Sequence, residues 1–526
     1  MGLRSPSESS VAAGRRLESR LARLRGAVTV DRLLLAAVVG LWIALYVEGL
    51  GEFPLRVWDE SRYAVPARRM AEGGSWLEPR IRLDTHEPGF AVEPRLVKPP
   101  LTYWLQAGAM VLLGVSEFAA RLPSAIAALG CAGLVYRIGA RTYGRRAGFA
   151  GAVVLLVFPG LLLGSHGGRA AVTDPLLALA GSGFVWLTWR GRERPRLLVP
   201  AGICAGLAVM TKGVAAGVFV VAVAPVLVHS FRAYRTPWTV AAVAATAVVA
   251  LPWHLYAWLV HGEEFVHQYF LTAAASRASG EMAPPPAEPL FGFMNYPYFR
   301  FALEMFGPPY PYALPVFGAG LVCAVALLGR RVRRDGPAPH ADGLFLCWWA
   351  AAVPLTFAVA GGNHPWYLLP MYVPGAVLAS SVPAALAARV ESLDLSVELP
   401  SGAGTAVYAA VCLCLALLLV GVYAPAPAEA HDAEQRELGE AIDVEVPEDE
   451  PVYVHTDTDR RALMSLVFYG DRPLEEASSI ALEGDPAVRY AIVPVENRQQ
   501  LDRDHRVLAE GPVNGVAVVE FVGDRG

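Results

Sequence analysis

The sequence predicts an all-α polytopic membrane protein of about eleven spans, with a small extracytoplasmic α/β domain at its C-terminal end. Three observations carry that prediction. The 526 residues are 54% hydrophobic and only 17% charged, with mean hydropathy +0.39, which is less charge than a soluble surface of this size exposes. Several apolar runs reach the roughly 20 residues that cross a bilayer as helix. Basic residues gather in short clusters between those runs, whereas acidic residues gather after Glu429. Once the basic clusters serve as topology signals, no basic surface remains for nucleic acid. The six cysteines all fall inside apolar runs, none at zinc-ligand spacing, and read as small buried hydrophobes.

The spans follow in order. Arg15, Arg16, Arg20, Arg23, Arg25 and Arg32 lie in a basic N-terminus, residues 1–32, which the positive-inside rule holds in the cytoplasm. The first run, Leu33 to Leu50, is too long for a secretory leader and reads as an uncleaved anchor. It exits on the outer side and places Asp59 and Glu60 there. The piece Leu101 to Leu113 is short for a span and carries Gln106, so it is expected to lie in the outer interface. Were it to span, every later basic cluster would face outward.

Beyond it the runs 122–140, 147–163, 175–189, 197–210, 214–228, 239–258, 310–328, 344–360, 366–387 and 403–423 alternate in direction, with arginine clusters at one end only. The membrane domain is thus 33–424, with outer loops at about 51–121 and 259–307. A Pro/Ala linker, 425–430, leads to the α/β domain, 431–526. There strand-like pieces (Pro451–His455, Tyr490–Pro494, Val513–Val522) alternate with helix-like ones (Glu434–Ile442, Arg460–Tyr469, Asn497–His505). This domain has no Gly-rich phosphate loop, and no catalytic role is expected of it.

The same alternation brings Asp59, Lys98, Arg169, Asp174, Lys212, His254, Glu264 and His364 to or near the outer face. A carboxylate beside a membrane has its pKa raised by the low dielectric and lowered by a neighbouring cation, which suits a general base. Asp59 and Glu60 are adjacent, so one can enter a cleft while the other binds Arg62 or caps a helix. The bland alternative makes Asp59 the N-cap of a helix over Arg62–Ala71. Asp174, between Thr173 and Pro175, reads as a helix N-cap and also as the second outer carboxylate, with His166 and Arg169 just before it.

Lys212 precedes Gly213 between two apolar runs; with Lys98 and Arg169 it could bind a phosphate, although a lysine at a span boundary can also merely snorkel. His364, Trp366 and Tyr367 mark another outer contact, although an interfacial aromatic belt would also explain Trp366 and Tyr367, and His254 could be a satisfied core histidine. No Walker A, strand-borne GxGxxG or HExxH motif is present, which argues against nucleotide-driven chemistry.

Five motifs in order then resemble one family. Asp59-Glu60-x-Arg62-Tyr63-Ala64, Lys98-Pro99-Pro100-Leu101-x-Tyr103-Trp104, Thr173-Asp174-Pro175, Lys212-Gly213 and Pro252-Trp253-His254 are similar to the GT-C integral-membrane glycosyltransferases. The likeness is to the lipid A aminoarabinose transferases and the protein O-mannosyltransferases, and it covers roughly Arg32 to Pro383. The block Trp366-Tyr367-Leu368-Leu369-Pro370 resembles a late span of the same enzymes.

The resemblance implies a polyprenyl-phosphate-linked sugar as donor and a lipid, glycan or protein acceptor. It makes Asp59 the base that activates the acceptor for inverting attack, and Asp174 a catalytic residue that orients the acceptor or supports the site. Lys212, Arg169 and Lys98 are then ligands of the departing lipid phosphate. Glu60, Arg62, Tyr63, His254, His364 and Tyr367 are the expected substrate contacts. In the aminoarabinose transferases an acidic residue of a metal site precedes the Lys-Pro motif; Val97 stands there, which speaks against a bound divalent metal but leaves it open, and no other cofactor is implied. The mannosyltransferases' lumenal β-trefoil insertion is also missing from this sequence. The rival readings are a transporter or flippase for a lipid-linked substrate, which would show related halves and midplane polar groups, and a non-catalytic scaffold.

Overall fold

The computed structural model describes residues 30–57, 60–81, 93–275, 317–359, 364–392, 403–422, 430–459 and 463–522. Within these, every apolar run named above is mainly helical. The principal helices are α1 Val30–Val47, α2 Ser61–Ala71, α3 Leu101–Leu113, α4 Glu117–Thr142, α5 Arg145–Leu156, α6 Asp174–Gly191, α7 Leu198–Lys212, α8 Gly217–His229 and α9 Pro237–Val266. They continue as α10 Ala319–Asp335, α11 Ala341–Val359, α12 Leu369–Ala379, α13 Ser381–Glu391, α14 Ala403–Val422 and, in the C-terminal domain, α15 Ala430–Glu445 and α16 Leu466–Tyr469. Six helical stretches among the described residues are long and apolar enough to cross a membrane: Val30–Val47, Glu117–Thr142, Pro195–His229, Pro237–Thr272, Trp366–Val390 and Ala403–Gly421.

One of these stretches doubles back. Gly191 packs on Leu198, Gly183 on Cys204, and Asp174 pairs with Lys212, so α7 runs antiparallel to α6. Phe219 covers Gly181 and the Tyr234 hydroxyl donates to the Thr188 carbonyl at 3.0 Å, so α8 runs back alongside α6. The reversal falls at Gly213, whose φ of 57° suits a residue without Cβ. Close approach of backbones recurs in the bundle: a Cβ on Gly148 of α5 would meet the Tyr136 carbonyl of α4 at 2.4 Å.

The two ends of the bundle differ chemically. At one end Arg145 pairs with Asp31 at 3.1 Å, Arg190 with Glu193 at 2.8 Å, and Arg141 with Asp342 at 3.6 Å. At the other end lie Glu60, Asp174 and Lys212. Helix α6 has 18 residues and carries Asp174 at its start and Arg190 at its end, which separates the two clusters by about 25 Å. The arginine alternation in the sequence anticipates this segregation.

Helix α3 has the bounds the sequence indicates and, at 13 residues, is shorter than the roughly 20 needed to cross. Gln106 is turned inward and fully buried, while Leu112 at the far end is 83% exposed.

The C-terminal domain is a five-stranded mixed sheet in the order β4-β3-β5-β7-β6, comprising β3 Val452–His455, β4 Leu474–Ala477, β5 Tyr490–Pro494, β6 His505–Gly511 and β7 Val516–Phe521. A two-residue pair in the first loop, β1 Arg80–Ile81 with β2 Glu93–Pro94, precedes them. The three expected strands correspond to β3, β5 and β7. Two expectations need correction. Asn497–His505 holds only the end of a short helix, Val495–Arg498, and His505 opens β6. In Arg460–Tyr469 the helix among described residues is Leu466–Tyr469.

Candidate active site

The site is built where α6, α7, α2 and the turn before α12 meet. Asp174, 3% exposed, opens α6 with Pro175 beside it. Its Oδ1 lies 2.5 Å from Lys212 Nζ, and its Oδ2 lies 2.7 Å from His166 Nδ1. Burial alone would raise the pKa of this carboxyl; the charges of Lys212 and His166 outweigh burial and hold it well below the usual range. Lys212 is the last residue of α7, and its ammonium lies 5.4 Å from the centre of the Tyr367 ring. His166 stacks on Trp366 at 3.9 Å, Trp366 stacks on His364 at 4.5 Å, and His364 meets Tyr367 edge-on at 5.4 Å. These six side chains form one continuous cluster.

Tyr63 adjoins the cluster at Thr173 and Asp174, and Lys98 is joined to it through Tyr63. The Lys98 ammonium hydrogen-bonds the Tyr63 hydroxyl, and the Tyr63 ring packs 5.7 Å from Tyr103. Burial pushes the Tyr63 hydroxyl far above its usual pKa, and it stays neutral. Arg62 lies beside it in the first turn of α2. His254 of α9 accepts or donates at 2.8 Å to the Tyr269 hydroxyl, and a Cβ on Gly213 would meet that hydroxyl at 2.4 Å. Thus His254 borders the Lys212 turn through Tyr269, with its other ring nitrogen 2.8 Å from the Ala250 carbonyl.

Two expected substrate ligands have other work. Glu60 is fully buried, and both carboxylate oxygens are committed. Oε1 accepts from Arg121 Nε at 2.8 Å and from the Ala171 amide at 2.7 Å; Oε2 accepts from Arg121 Nη2 at 2.8 Å and from the Arg56 amide at 3.0 Å. Burial opposes ionisation, but the Arg121 charge prevails and the pKa falls to about 2. The sequence offers Arg62 as its partner; the structure gives Arg121. Arg169 donates to the carbonyls of Leu45, Glu48 and Gly49 at 2.6, 2.9 and 3.1 Å. It therefore caps the C-terminal end of α1, satisfying carbonyls that a helix end leaves open, and is not placed as a phosphate ligand. Asp59 itself lies outside the described residues.

His166, Arg121 and Tyr269 join the site or its frame, although the sequence does not single them out as site residues. His166 carries a signal, a histidine eight residues before the carboxylate in Ser165-His166-Gly167-Gly168. Arg121 carries one too, a basic residue at the end of an apolar run that the positive-inside rule leaves bare. Among the described residues no group of three His, Cys, Asp or Glu side chains is placed to hold a metal.

Residues 97–256 match the family described as dolichyl-phosphate-mannose-protein mannosyltransferase. The chain is 28% identical over 346 residues to the undecaprenyl phosphate-alpha-4-amino-4-deoxy-L-arabinose arabinosyl transferase 2 of Proteus mirabilis, covering 62% of this chain and 56% of that one. It is 26% identical over 392 residues to the corresponding transferase of Yersinia enterocolitica, covering 72% and 64%. The alignments thus span little more than half the length of these relatives. Among solved structures, ArnT from Cupriavidus metallidurans bound to undecaprenyl phosphate superposes with TM-score 0.67 at 17% identity, covering 95% of this chain and 98% of that one. The archaeal oligosaccharyltransferase AglB from Archaeoglobus fulgidus reaches TM-score 0.52 at 13% identity, covering 89% and 70%.

Proposed function

We propose that this chain, a membrane protein of the GT-C fold related to the aminoarabinose and protein-mannosyl transferases, moves a sugar from a polyprenyl-phosphate carrier to a lipid, glycan or protein acceptor. The observation that carries this reading is the gathering of Asp174, Lys212, His166, Tyr367, Lys98 and Tyr63 at one end of the bundle, opposite the arginine-rich end. One ammonium pairs with a carboxylate beside aromatic faces and a second bonds the Tyr63 hydroxyl, which is a setting for an anionic headgroup and a sugar ring. The positive-inside rule assigns this end to the extracytoplasmic side.

In the reaction, Asp59 takes the proton of the acceptor hydroxyl, and the acceptor oxygen attacks the anomeric carbon with inversion. The bond from that carbon to the phosphate oxygen breaks, and the electron pair leaves with the lipid phosphate. Lys212 and Lys98 stabilise the growing phosphate charge, and Asp174, held by His166, keeps Lys212 oriented. A flippase would move the lipid without breaking that bond.

The test offers reconstituted wild-type protein and Asp59→Asn a panel of polyprenyl-phosphate sugars and follows the released lipid phosphate. Release by wild type alone is expected. Equal release by both removes the base role from Asp59. No release by either, with labelled lipid appearing in the opposite leaflet, overturns the transferase reading in favour of a flippase.

A further inference from the structure

The C-terminal α/β domain docks on the segment that leads into the site, and we propose that it positions the site, with Asp432 and Tyr469 holding Leu55–Val57 ahead of helix α2. This rests on the transfer reading above for its catalytic meaning. The segment Leu55–Val57 belongs to no helix or strand, so its backbone groups need partners from elsewhere. The C-terminal domain supplies three. The Leu55 amide donates to the Tyr469 hydroxyl at 2.7 Å, the Leu55 carbonyl accepts from Ser465 Oγ at 3.3 Å, and the Val57 amide donates to Asp432 Oδ1 at 3.0 Å. Asp432 is 6% exposed and lies in the first turn of α15, where a helix dipole favours a carboxylate. A carboxylate acceptor is stronger than a neutral one.

The same domain grips α2 at its far end. Arg68 donates to the Phe468 carbonyl, and Arg69 pairs with Asp471 at 2.8 Å. Leu55, Tyr63 and Met70 share one hydrophobic cluster with Leu438, Ile442 and Phe468. Helix α2 has 11 residues and carries Arg62 and Tyr63 in its first turn, with Tyr63 on Lys98. A short rigid helix held at one end transmits that hold to the other. Val57 is therefore fixed from the C-terminal domain, Glu60 from α4 and the stretch before α6, and these are the described neighbours of Asp59 in the chain. Any shift of the domain moves Tyr63 relative to Asp174 and Lys212, which belong to the bundle. Asp432 and Tyr469 act through the Val57 and Leu55 amides and are therefore positioning residues.

The experiment uses the full-length chain in reconstituted membranes, as Asp432→Ala, Asp432→Asn and Tyr469→Phe beside wild type. It measures kcat and KM for the polyprenyl-phosphate sugar, the thermal unfolding midpoint, and hydrogen exchange over residues 53–67. Asp432→Ala is expected to lower kcat by about tenfold to a hundredfold, while KM stays within about threefold. Exchange should rise over Leu55–Val57 and the first turn of α2. Asp432→Asn should recover part of kcat because its amide oxygen can still accept the Val57 amide, and Tyr469→Phe should lose less than Asp432→Ala. Unchanged kcat in both Asp432→Ala and Tyr469→Phe overturns the proposal. A loss that tracks the folded fraction, with exchange at α2 unaltered, also overturns it. Should wild type release no lipid phosphate from any donor, the transfer reading fails instead. Exchange then decides alone: a rise in the first turn of α2 upholds positioning, and no rise overturns it.

Discussion

Replacing Glu60 by Gln tests whether the turn before α2 is built on a buried ion pair. Glu60 is fully buried, its partner Arg121 is 4% exposed, and four donors converge on one carboxylate. An amide of the same shape keeps one oxygen but turns an N–H donor toward the guanidinium, leaving the Arg121 charge buried without its counter-ion. Breaking a buried pair from one side costs about 3–5 kcal/mol. The pKa gives a similar figure: a drop from 4.5 to about 2 corresponds to about 3 kcal/mol. The sign follows from that drop. The folded-state pKa is depressed, so the contribution is complete above pH 4.5 and is lost as pH falls toward 2.

The assay is thermal unfolding in detergent from pH 7 to pH 3, with limited proteolysis reading the segment around Pro54. Glu60→Gln should unfold at lower temperature at pH 7 and be cut faster, and the gap to wild type should narrow as the pH approaches 3. Arg121→Met should be at least as damaging, because it also deprives the Leu50, Phe53 and Pro54 carbonyls of their donor. The double variant should fall short of the sum by about 1–3 kcal/mol. An unfolding midpoint for Glu60→Gln equal to wild type, with no change in proteolysis, would refute the reasoning.

Arg169 and Lys212 should separate cleanly. Arg169→Gln should lower the unfolding midpoint by loosening the end of α1 while leaving KM for the donor within about twofold, whereas Lys212→Ala should cut kcat by about a hundredfold or more; a large donor-KM effect at Arg169 would restore it as a phosphate ligand. Gly213→Ala places a Cβ 2.4 Å from the Tyr269 hydroxyl at φ 57°. It should destabilise by about 1–2 kcal/mol and lower turnover, and Tyr269→Phe should not rescue it, because the backbone strain remains; a wild-type unfolding curve would sink that account.

Much of this is legible in the sequence for an identifiable reason. A lysine or aspartate at the end of an apolar run stands out against its neighbours, and arginine clusters fix which end it occupies, so Asp174, Lys212 and Lys98 emerge together. The partners of Glu60 and Arg169 escape the sequence because they lie far along the chain. Arg121 is 61 residues from Glu60, and the Leu45 carbonyl is 124 residues from Arg169. No local pattern announces a backbone carbonyl as the destination of a guanidinium. In the C-terminal domain the central strands β3, β5 and β7 show as apolar runs because both faces are covered. The edge strands β4 and β6 escape notice because Leu474-Glu475-Glu476-Ala477 and His505-Arg506-Val507 leave polar side chains toward water.

The antiparallel pairing of α6 and α7 has a consequence for how charge can change hands. Because α6 and α7 run in opposite directions, the carboxylate of Asp174 stands at the positive end of its helix and the ammonium of Lys212 at the negative end of its own. Each ion is thus favoured by its own backbone before any ligand arrives. A phosphate that draws Lys212 away does not strand the carboxylate, since His166 remains at 2.7 Å. In the proposed transfer, the lipid phosphate would take the place of Asp174 at the lysine. Asp174 would then be in place to reclaim the ammonium once the lipid phosphate departs.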